Sequence, residues 1–587
     1  MEIPPIETII HYSVLAGVVV MACIVVVLAI QHITLGTMTH QNSCKDRVNR
    51  ATSPDTSNHE VYYAGFFHPY PNAGGGGERV LWTMIKAIQE KYPFVVCVIY
   101  SGDNVPRDEL LSNVKTKFGL EIRPETLYIV ELTRRWWIDH KPSRLTLLMQ
   151  SLGSVWLAVQ AINRLCPDIF IDTVGFAFTY PLIRIVSAKI PVVSYTHYPT
   201  ISSDMQTMVG SREAGFNNDQ TIAGSATMTA LKSLYYFIFA YIYAFAGSFA
   251  STIMTNSSWT HNHIVKLFGK PRMTRVIYPP CDTSALEEFP LSPRQPFIVS
   301  LAQFRPEKNH IVQIKAFAEL LKLHPELVAP TSEKVLSTEE LLKIAHKRIG
   351  QDNSTPSISY PILIMLGGAR NIEDETRAEE LRHAAKKLGI DRQVHVIVNA
   401  PWSRVLEWLK FSKVGLHTMK DEHFGINIVE MMAAGLLTIA HASAGPKLDI
   451  INPAITCNND GTPEQPSVSA AFAFLDYLKS ENERSGKDGE SVPEFPVGMV
   501  ASTASEFAQM LALALSAKEP LSEAMARAAR LTASTKFSED AFCTAFYKRF
   551  SPVIRWLDIQ NSNVDEEDDA HENGNSINNT SGAIVTY

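Results

Sequence analysis

The sequence predicts an α/β protein, with two Rossmann-like, doubly wound domains in tandem behind an N-terminal transmembrane anchor. Three observations carry that expectation. Short runs of Val, Ile, Leu and Phe alternate with helical patterns in two successive series. Gly74, Gly75, Gly76 and Gly77 follow the first run and lead directly into a helical pattern, the strand, glycine loop and helix that open an α/β domain. Residues 12–30 carry no charge and are rich in Val, Leu, Ile and Ala. The chain has 587 residues, 46% hydrophobic and 19% charged, which suits several well-buried domains.

As a helix, residues 12–30 would span about 29 Å, close to one hydrocarbon core. Glu2 and Glu7 precede this stretch and no Lys or Arg does, which argues against a cleaved signal peptide. Lys45, Arg47 and Arg50 follow it, so the positive-inside rule predicts a lumenal N-terminus and a cytosolic body. Residues 1–40 are thus the lumenal N-terminus and anchor, and the polar residues 41–60 a linker. Residues 61–285 are expected to form the first domain, with strands at 61–67, 94–100, 169–171, 192–195 and 252–255. Residues 286–535 are expected to form the second domain, with strands at 297–301, 362–366, 394–398, 414–416 and 437–440. Residues 536–560 read as a C-terminal helix packing back toward the N-terminal domain, and 561–587 as a disordered acidic tail. Residues 330–359 read as a polar surface insertion and 480–495 as a loop.

The net charge of −7 comes mostly from Asp565, Glu566, Glu567, Asp568, Asp569 and Glu572 in the tail. The body is near neutral, which is not the balance of a nucleic-acid-binding protein. The seven cysteines are widely spaced, with neither metal-ligand spacing nor a disulfide framework, which favours a reducing compartment.

The densest functional signal is Asp421-Glu422-His423-Phe424-Gly425-Ile426-Asn427-Ile428-Val429-Glu430. Residues 414–417 before it read as a buried strand, and Met431 to Ala434 after it as a helix ending at Gly435. Glu422 therefore falls in a loop and Glu430 in a helix. On one continuous helix the two carboxylates would sit roughly 80° apart; the loop removes that constraint. The arrangement suits a sugar nucleotide. A helix N-terminus offers unpaired N–H groups to a diphosphate. Gly425 admits close backbone approach. Glu422 can reach a hexose hydroxyl or the reacting carbon, and Glu430 can accept hydrogen bonds from a ribose. Taken alone, the spacing fits equally an ordinary helix with two solvated glutamates.

Other constellations surround it. The four glycines lack the Gly-Lys-Ser/Thr of a P-loop and the Gly-x-Gly-x-x-Gly pattern, leaving a flexible turn or a close backbone approach to a ligand. Arg305 and Lys308 follow the first strand of the second series and could both point at a diphosphate, one as a fork and the other as a point charge. His197 ends a strand of the first domain and reads as structural or as an active-site group. Arg134-Arg135-Trp136-Trp137 and the aromatic run 234–246 have the composition of membrane interfaces. The run is expected to be a helix dipping into one leaflet, with a buried core helix as the alternative.

Glu422 to Glu430, with Ala434-Gly435 and Ser443-Ala444-Gly445-Pro446, resembles the signature of retaining glycosyltransferases of family four, which have the GT-B fold. The resemblance implies two domains facing a cleft, residues 61–285 on the acceptor side and residues 286–535 binding the donor. It implies Glu422 and His197 as catalytic residues, and donor binding by Gly74, Gly75, Gly76, Gly77, Arg305, Lys308, His423, Phe424, Gly425, Ile426 and Glu430. It also implies no cofactor and no metal, because Arg305 and Lys308 take the place of a divalent ion on the leaving diphosphate. Residues 66–82, 150–154, 194–202 and 276–281 extend the likeness to the α-1,2-mannosyltransferases of N-glycan assembly, similar over most of 60–555. The insertion at 330–359 and the acidic tail fit least. That likeness implies GDP-mannose as donor and dolichyl-diphosphate-linked Man3GlcNAc2 as acceptor. The fourth and fifth mannoses would be added on the cytosolic face of the endoplasmic reticulum membrane, beside other early mannosyltransferases of the pathway. The alternatives are another GT-B glycosyltransferase with a different lipid acceptor, and a non-catalytic membrane scaffold.

Overall fold

The computed structural model describes residues 38–55, 59–139, 145–201, 205, 226–349, 358–458, 462–464, 466–483 and 494–572. They form two compact units. The first comprises the chain up to Asn256, Thr260–Ile277 and the segment from Cys543 on; the second comprises Ser257–Trp259 and Tyr278–Phe542. The changeover thus lies at Ile277/Tyr278, before the expected 285/286 boundary.

In the first unit, β1 (Tyr62–Phe67), β2 (Val95–Ser101), β3 (Leu127–Glu131), β4 (Ile169–Asp172), β5 (Val192–Thr196), β6 (Thr252–Thr255) and β7 (Thr274–Val276) form one sheet. Its order is β3-β2-β1-β4-β5-β6-β7, and every pairing is parallel. In the second unit, β8 (Gln295–Leu301), β9 (Ile362–Gly367), β10 (Val394–Val398), β11 (Ser412–His417), β12 (Leu437–His441), β13 (Ala454–Ile455) and β14 (Gly498–Ala501) form another. Its order is β10-β9-β8-β11-β12-β14-β13, again parallel throughout. Helices cover both faces, so β1, β2 and β9 are buried along their whole length and their sequences read as unbroken apolar runs rather than alternations. In each sheet the direction of strand addition reverses at the centre, between β1 and β4 and between β8 and β11; in the second sheet β14 also turns back to lie between β12 and β13. Ligands of open α/β sheets bind beyond the carboxyl ends of the strands at such a reversal. The loops after β1, β8 and β11 are those that carry the glycines, the Arg305–Lys308 pair and Glu422.

Several expectations are corrected. The supposed linker 41–60 is helical over Met38–Ala51, because Cys44 and Val48 bury one face against the first unit and Lys45 Nζ pairs with Asp168 at 2.8 Å. The supposed insertion 330–359 contains the helix Thr338–Ile349; Leu341, Leu342 and Ala345 are buried in the core of the second unit. Its charged outer face hid a narrow apolar stripe at i, i+1 and i+4. β3, β7, β13 and β14 were not anticipated. They are short, and β3 and β7 have partly solvated patterns that carry little apolar signal. The helix Val468–Glu483 runs into the expected 480–495 loop, of which 484–493 lie outside the described residues. The expected disordered tail is helical as far as Glu572, propagated from a packed segment of the helix Glu539–Glu572. The last fifteen positions, 573–587, lie outside the described residues.

The aromatic run lies in the helix Ala226–Gly247. Tyr236, Phe239 and Tyr243 are buried in the core of the first unit, which is the core reading. Phe237, Tyr241 and Phe245, each four residues after the last, are 66%, 74% and 60% exposed, so the opposite face is an apolar stripe. Trp136 and Trp137 stack on each other and are also exposed. Arg135 is not free for a headgroup: it pairs with Asp103 and, at 3.1 Å, with Asp139. The expected anchor at 12–30 lies outside the described residues. Among those described, no helix is long and apolar enough to cross a membrane.

Candidate active site

The second unit brings its predicted residues together at the β8/β11 reversal. The chain leaves β8, passes Arg305 and makes a single turn at Pro306–Lys308 before the helix His310–Leu323. Asn309 takes a left-handed conformation with φ 53° to make that change of direction. The chain leaves β11 at His417 and reaches the helix Ile426–Ala433 through a loop containing Glu422; Glu430 lies within that helix. Thr418 ties the two loops together, its Oγ1 donating to Lys308 O at 3.2 Å and Asn309 O at 3.1 Å while accepting from Gln313 Nε2 at 3.1 Å.

This bracing places the Lys308 ammonium against the Glu422 carboxylate in an ion pair, with Met419 Sδ 3.2 Å from Nζ. The Glu422 side chain is 12% exposed. Burial alone would raise its pKa. The contact with His417 and the charge of Lys308 overcome that and hold it well below the usual carboxylate range. Glu422 is therefore a carboxylate at neutral pH, suited to accept hydrogen bonds and unsuited to donate a proton. Arg305 is one-third exposed and lies 3.7 Å from Glu307, and its Nε is buried without a partner among the described residues. It is the freer of the two cations.

Backbone geometry fixes the course of the loop. Gly425 has φ 112°, which an L side chain adopts only with strain. Gly445 N donates to Glu422 O at 3.0 Å, and a Cβ at Gly445 would lie 2.5 Å from His423 O. The Ser443–Pro446 segment therefore needs glycine there to close on the Glu422 loop. Ser443 Oγ accepts from Asp421 N at 2.8 Å. His423 stacks on Trp259 at 5.3 Å. Phe424 is a core residue, stacked on Tyr278 at 5.8 Å and against Phe537. Phe424 thus offers a ligand only its backbone, and the half-buried Ile426 also packs against the core.

In the first unit the glycine loop and His197 come together. Gly74 has φ 82° and Gly75 caps the helix Gly76–Lys91, with Gly75 N donating to Glu78 Oε2 at 2.5 Å. A Cβ on Gly77 would meet His197 Nε2 at 3.4 Å, so the imidazole sits over the first turn of that helix. Beneath it, His68 Nδ1 lies 2.7 Å from Thr173 Oγ1 and His68 Nε2 3.4 Å from Glu78 Oε1. The exposed backbone of Gly74–Gly76 and a helix N-terminus suit an anionic or polar ligand.

Sequence reasoning missed His417, Thr418, Asn427 and Gln313. In the sequence His417 shows only as the end of a buried strand, and Asn427 only as one position of the 421–430 stretch. Their partners are more than a hundred residues away for Gln313 with Thr418 and for Asn427 with Leu301, so no local pattern announces them.

Two parallel-sheet Rossmann-like units with a cationic loop and a buried carboxylate at the reversal of the second define the class of GT-B glycosyltransferases. Residues 340–481 match the family described as glycosyl transferases group 1, and residues 61–268 the ALG11 mannosyltransferase N-terminus. The α,α-trehalose 6-phosphate synthase of Burkholderia multivorans shares the fold, with a TM-score of 0.50 at 14% identity, covering 85% of this chain and 99% of that one. The chain is 40% identical over 413 residues to the Mus musculus GDP-Man:Man(3)GlcNAc(2)-PP-Dol alpha-1,2-mannosyltransferase, covering 69% of this chain and 78% of the relative. It is 36% identical over 508 residues to the Dictyostelium discoideum protein of the same name, covering 85% and 86%. The chain belongs to this α-1,2-mannosyltransferase family.

Proposed function

We propose that the protein transfers mannose from GDP-mannose to dolichyl-diphosphate-linked Man3GlcNAc2 in α-1,2 linkage, adding the fourth and fifth mannoses. Family membership carries this reading. The donor would be held in the second unit, with Arg305 and Lys308 on the diphosphate, the Gly425 backbone and helix N-terminus beside it, and Glu430 on the ribose. Glu422 would accept hydrogen bonds from the mannose hydroxyls. The family likeness assigns donor binding to Gly74–Gly77 and a catalytic part to His197 in the first unit. Both anomeric centres are α, so configuration is retained. The acceptor hydroxyl attacks C1 on the face that the phosphate leaves, its proton passing to the departing phosphate oxygen as the C1–O bond to phosphate breaks. Catalysis is then positioning plus stabilisation of the departing charge. The two cations serve that purpose without a divalent ion, so turnover should survive chelation. The body would face the cytosol at the endoplasmic reticulum membrane, with the N-terminus lumenal, where other early mannosyltransferases of the pathway would supply the acceptor and take the product.

The decisive experiment is incubation of the purified full chain with lipid-linked Man3GlcNAc2 and GDP-mannose, with the product linkages determined. Two α-1,2-mannoses are expected, and Glu422→Ala should nearly abolish transfer while leaving the protein folded. Transfer from UDP-N-acetylglucosamine in preference to GDP-mannose, or no transfer at all, would sink the reading.

A further inference from the structure

Glu422 has two partners, and they differ in kind. Lys308 reaches it from the β8 loop on a long flexible stem. His417 reaches it from the end of β11, where it is 1% exposed and packed in place. The neighbours fix the hydrogen positions of the imidazole. Asn427 Nδ2 donates to Leu301 O, which identifies the nitrogen end of that amide. The same Nδ2 lies 3.1 Å from His417 Nδ1, so Nδ1 is an acceptor and the ring hydrogen is on Nε2. Nε2 lies 3.3 Å from Glu422 Oε2. The two atoms are in contact but outside hydrogen-bond geometry, and Nε2 is buried with no hydrogen-bond partner among the described residues. Charged groups facing the ring are Glu422 and Lys308; His310, on the next helix, lies close enough for charge on His417 to disfavour its protonation. Burial, first of all, keeps His417 neutral.

A diphosphate arriving beside Arg305 competes for Lys308. If Lys308 turns to it, the buried Glu422 carboxylate loses its counter-charge, a costly state unless another donor remains. We propose that His417 is the positioning residue for Glu422: through the tautomer set by Asn427, its Nε2–H holds the carboxylate in place while Lys308 engages the donor diphosphate. The inference rests on the proposed function for its catalytic consequence, but the tautomer and the contact belong to the unliganded protein.

The test pairs two variants with one spectrum. The Gln side chain in His417→Gln carries an amide N–H near the imidazole Nε2 position; Leu in His417→Leu has no donor. His417→Leu should lower kcat on the order of tenfold or more, the loss expected for a hydrogen bond to a charged group. GDP binding should be nearly unchanged, and His417→Gln should recover most of the rate. Nitrogen-15 NMR of histidine-labelled wild-type protein should show His417 as the Nε2–H tautomer at neutral pH. Equal activities of the Gln and Leu variants would overturn the proposal. So would an Nδ1–H tautomer or an imidazolium in the spectrum, which decides the matter even if neither variant folds. Failure of the wild type to use GDP-mannose would instead overturn the proposed function, and the spectrum would still judge the contact.

Discussion

Lys308 neutralises a buried carboxylate, whereas Arg305 lies 3.7 Å from Glu307 and is one-third exposed. Removing them should therefore have different signatures. Arg305→Ala should weaken GDP by roughly 1.5–3 kcal/mol, the value of a charge-assisted contact, and leave the thermal midpoint nearly unmoved. Lys308→Ala should weaken GDP similarly and also lower the midpoint, because Glu422 is left buried without its cation. Calorimetric titration with GDP and thermal scans separate the two; equal midpoints would show that the ion pair contributes little to stability. Acid sensitivity also belongs to single residues. Burial, with His417 and Lys308 nearby, pushes His310 down to about 4 from an ordinary 6.5. Its folded pKa is below its unfolded one, so the unfolded chain binds more protons between those values and stability falls as pH drops from 6.5 toward 4. Glu422 acts later: its depressed pKa gives stability present above about 4.5 and lost only at more acid pH. Unfolding midpoints measured across pH 4–7 should flatten in His310→Leu if it folds. An unchanged slope would show that His310 does not titrate with folding.

At the scale of elements, the loops were legible where one side chain type or one backbone demand suffices. The Glu422 loop, the glycine loop and the Arg305–Lys308 turn each announce themselves within a dozen residues. The helix Thr338–Ile349 did not, because three buried positions are diluted by a charged face; nor did β14, a run of only four residues that lies between β12 and β13. The His417–Asn427–Glu422 arrangement was illegible for a related reason: buried polar residues inside apolar runs look like ordinary core until their partners are placed. Gly445 and Gly77 give an element-level test. A Cβ at Gly445 would meet backbone at 2.5 Å and must displace the Glu422 loop, whereas one at Gly77 would meet a His197 side-chain atom at 3.4 Å. Gly445→Ala should cost most of the activity and Gly77→Ala much less; equal rates would mean that the Glu422 loop tolerates displacement. The exposed stripe Phe237, Tyr241 and Phe245 suits the headgroup boundary proposed for a protein with a lipid-linked acceptor. Replacing all three by serine should reduce flotation with anionic liposomes and spare folding, since the buried face is untouched. Undiminished flotation would assign the stripe no part in membrane contact.

At the scale of the molecule, the chain finishes the second unit and then returns to complete the first. The helix Glu539–Glu572 contributes Phe546 and Phe550, both fully buried, to the unit that begins with β1. Tyr547 Oη donates to Ala87 O at 3.0 Å, Arg549 Nη2 to Met273 O at 2.9 Å, and Tyr62 Oη to Asp558 Oδ1 at 2.9 Å. Tyr92 Oη lies 2.7 Å from Ser551 Oγ, with its ring 5.9 Å from that of Phe550. Loss of a single buried Phe costs about 3–5 kcal/mol, and a whole domain holds only about 5–15 kcal/mol. A chain ending at Phe542 would lose both phenylalanines and all these hydrogen bonds at once, which exceeds what the first unit can spare. The second unit loses nothing, because its contribution from this helix stops at Phe542. Limited proteolysis of the truncated chain should therefore degrade residues 61–277 and leave a resistant fragment beginning near Tyr278. A chain ending at Gln560 retains every contact named here and should keep both units and its activity. Protection of residues 61–277 in the shorter chain would show that the seven-stranded sheet of the first unit closes without the returning helix.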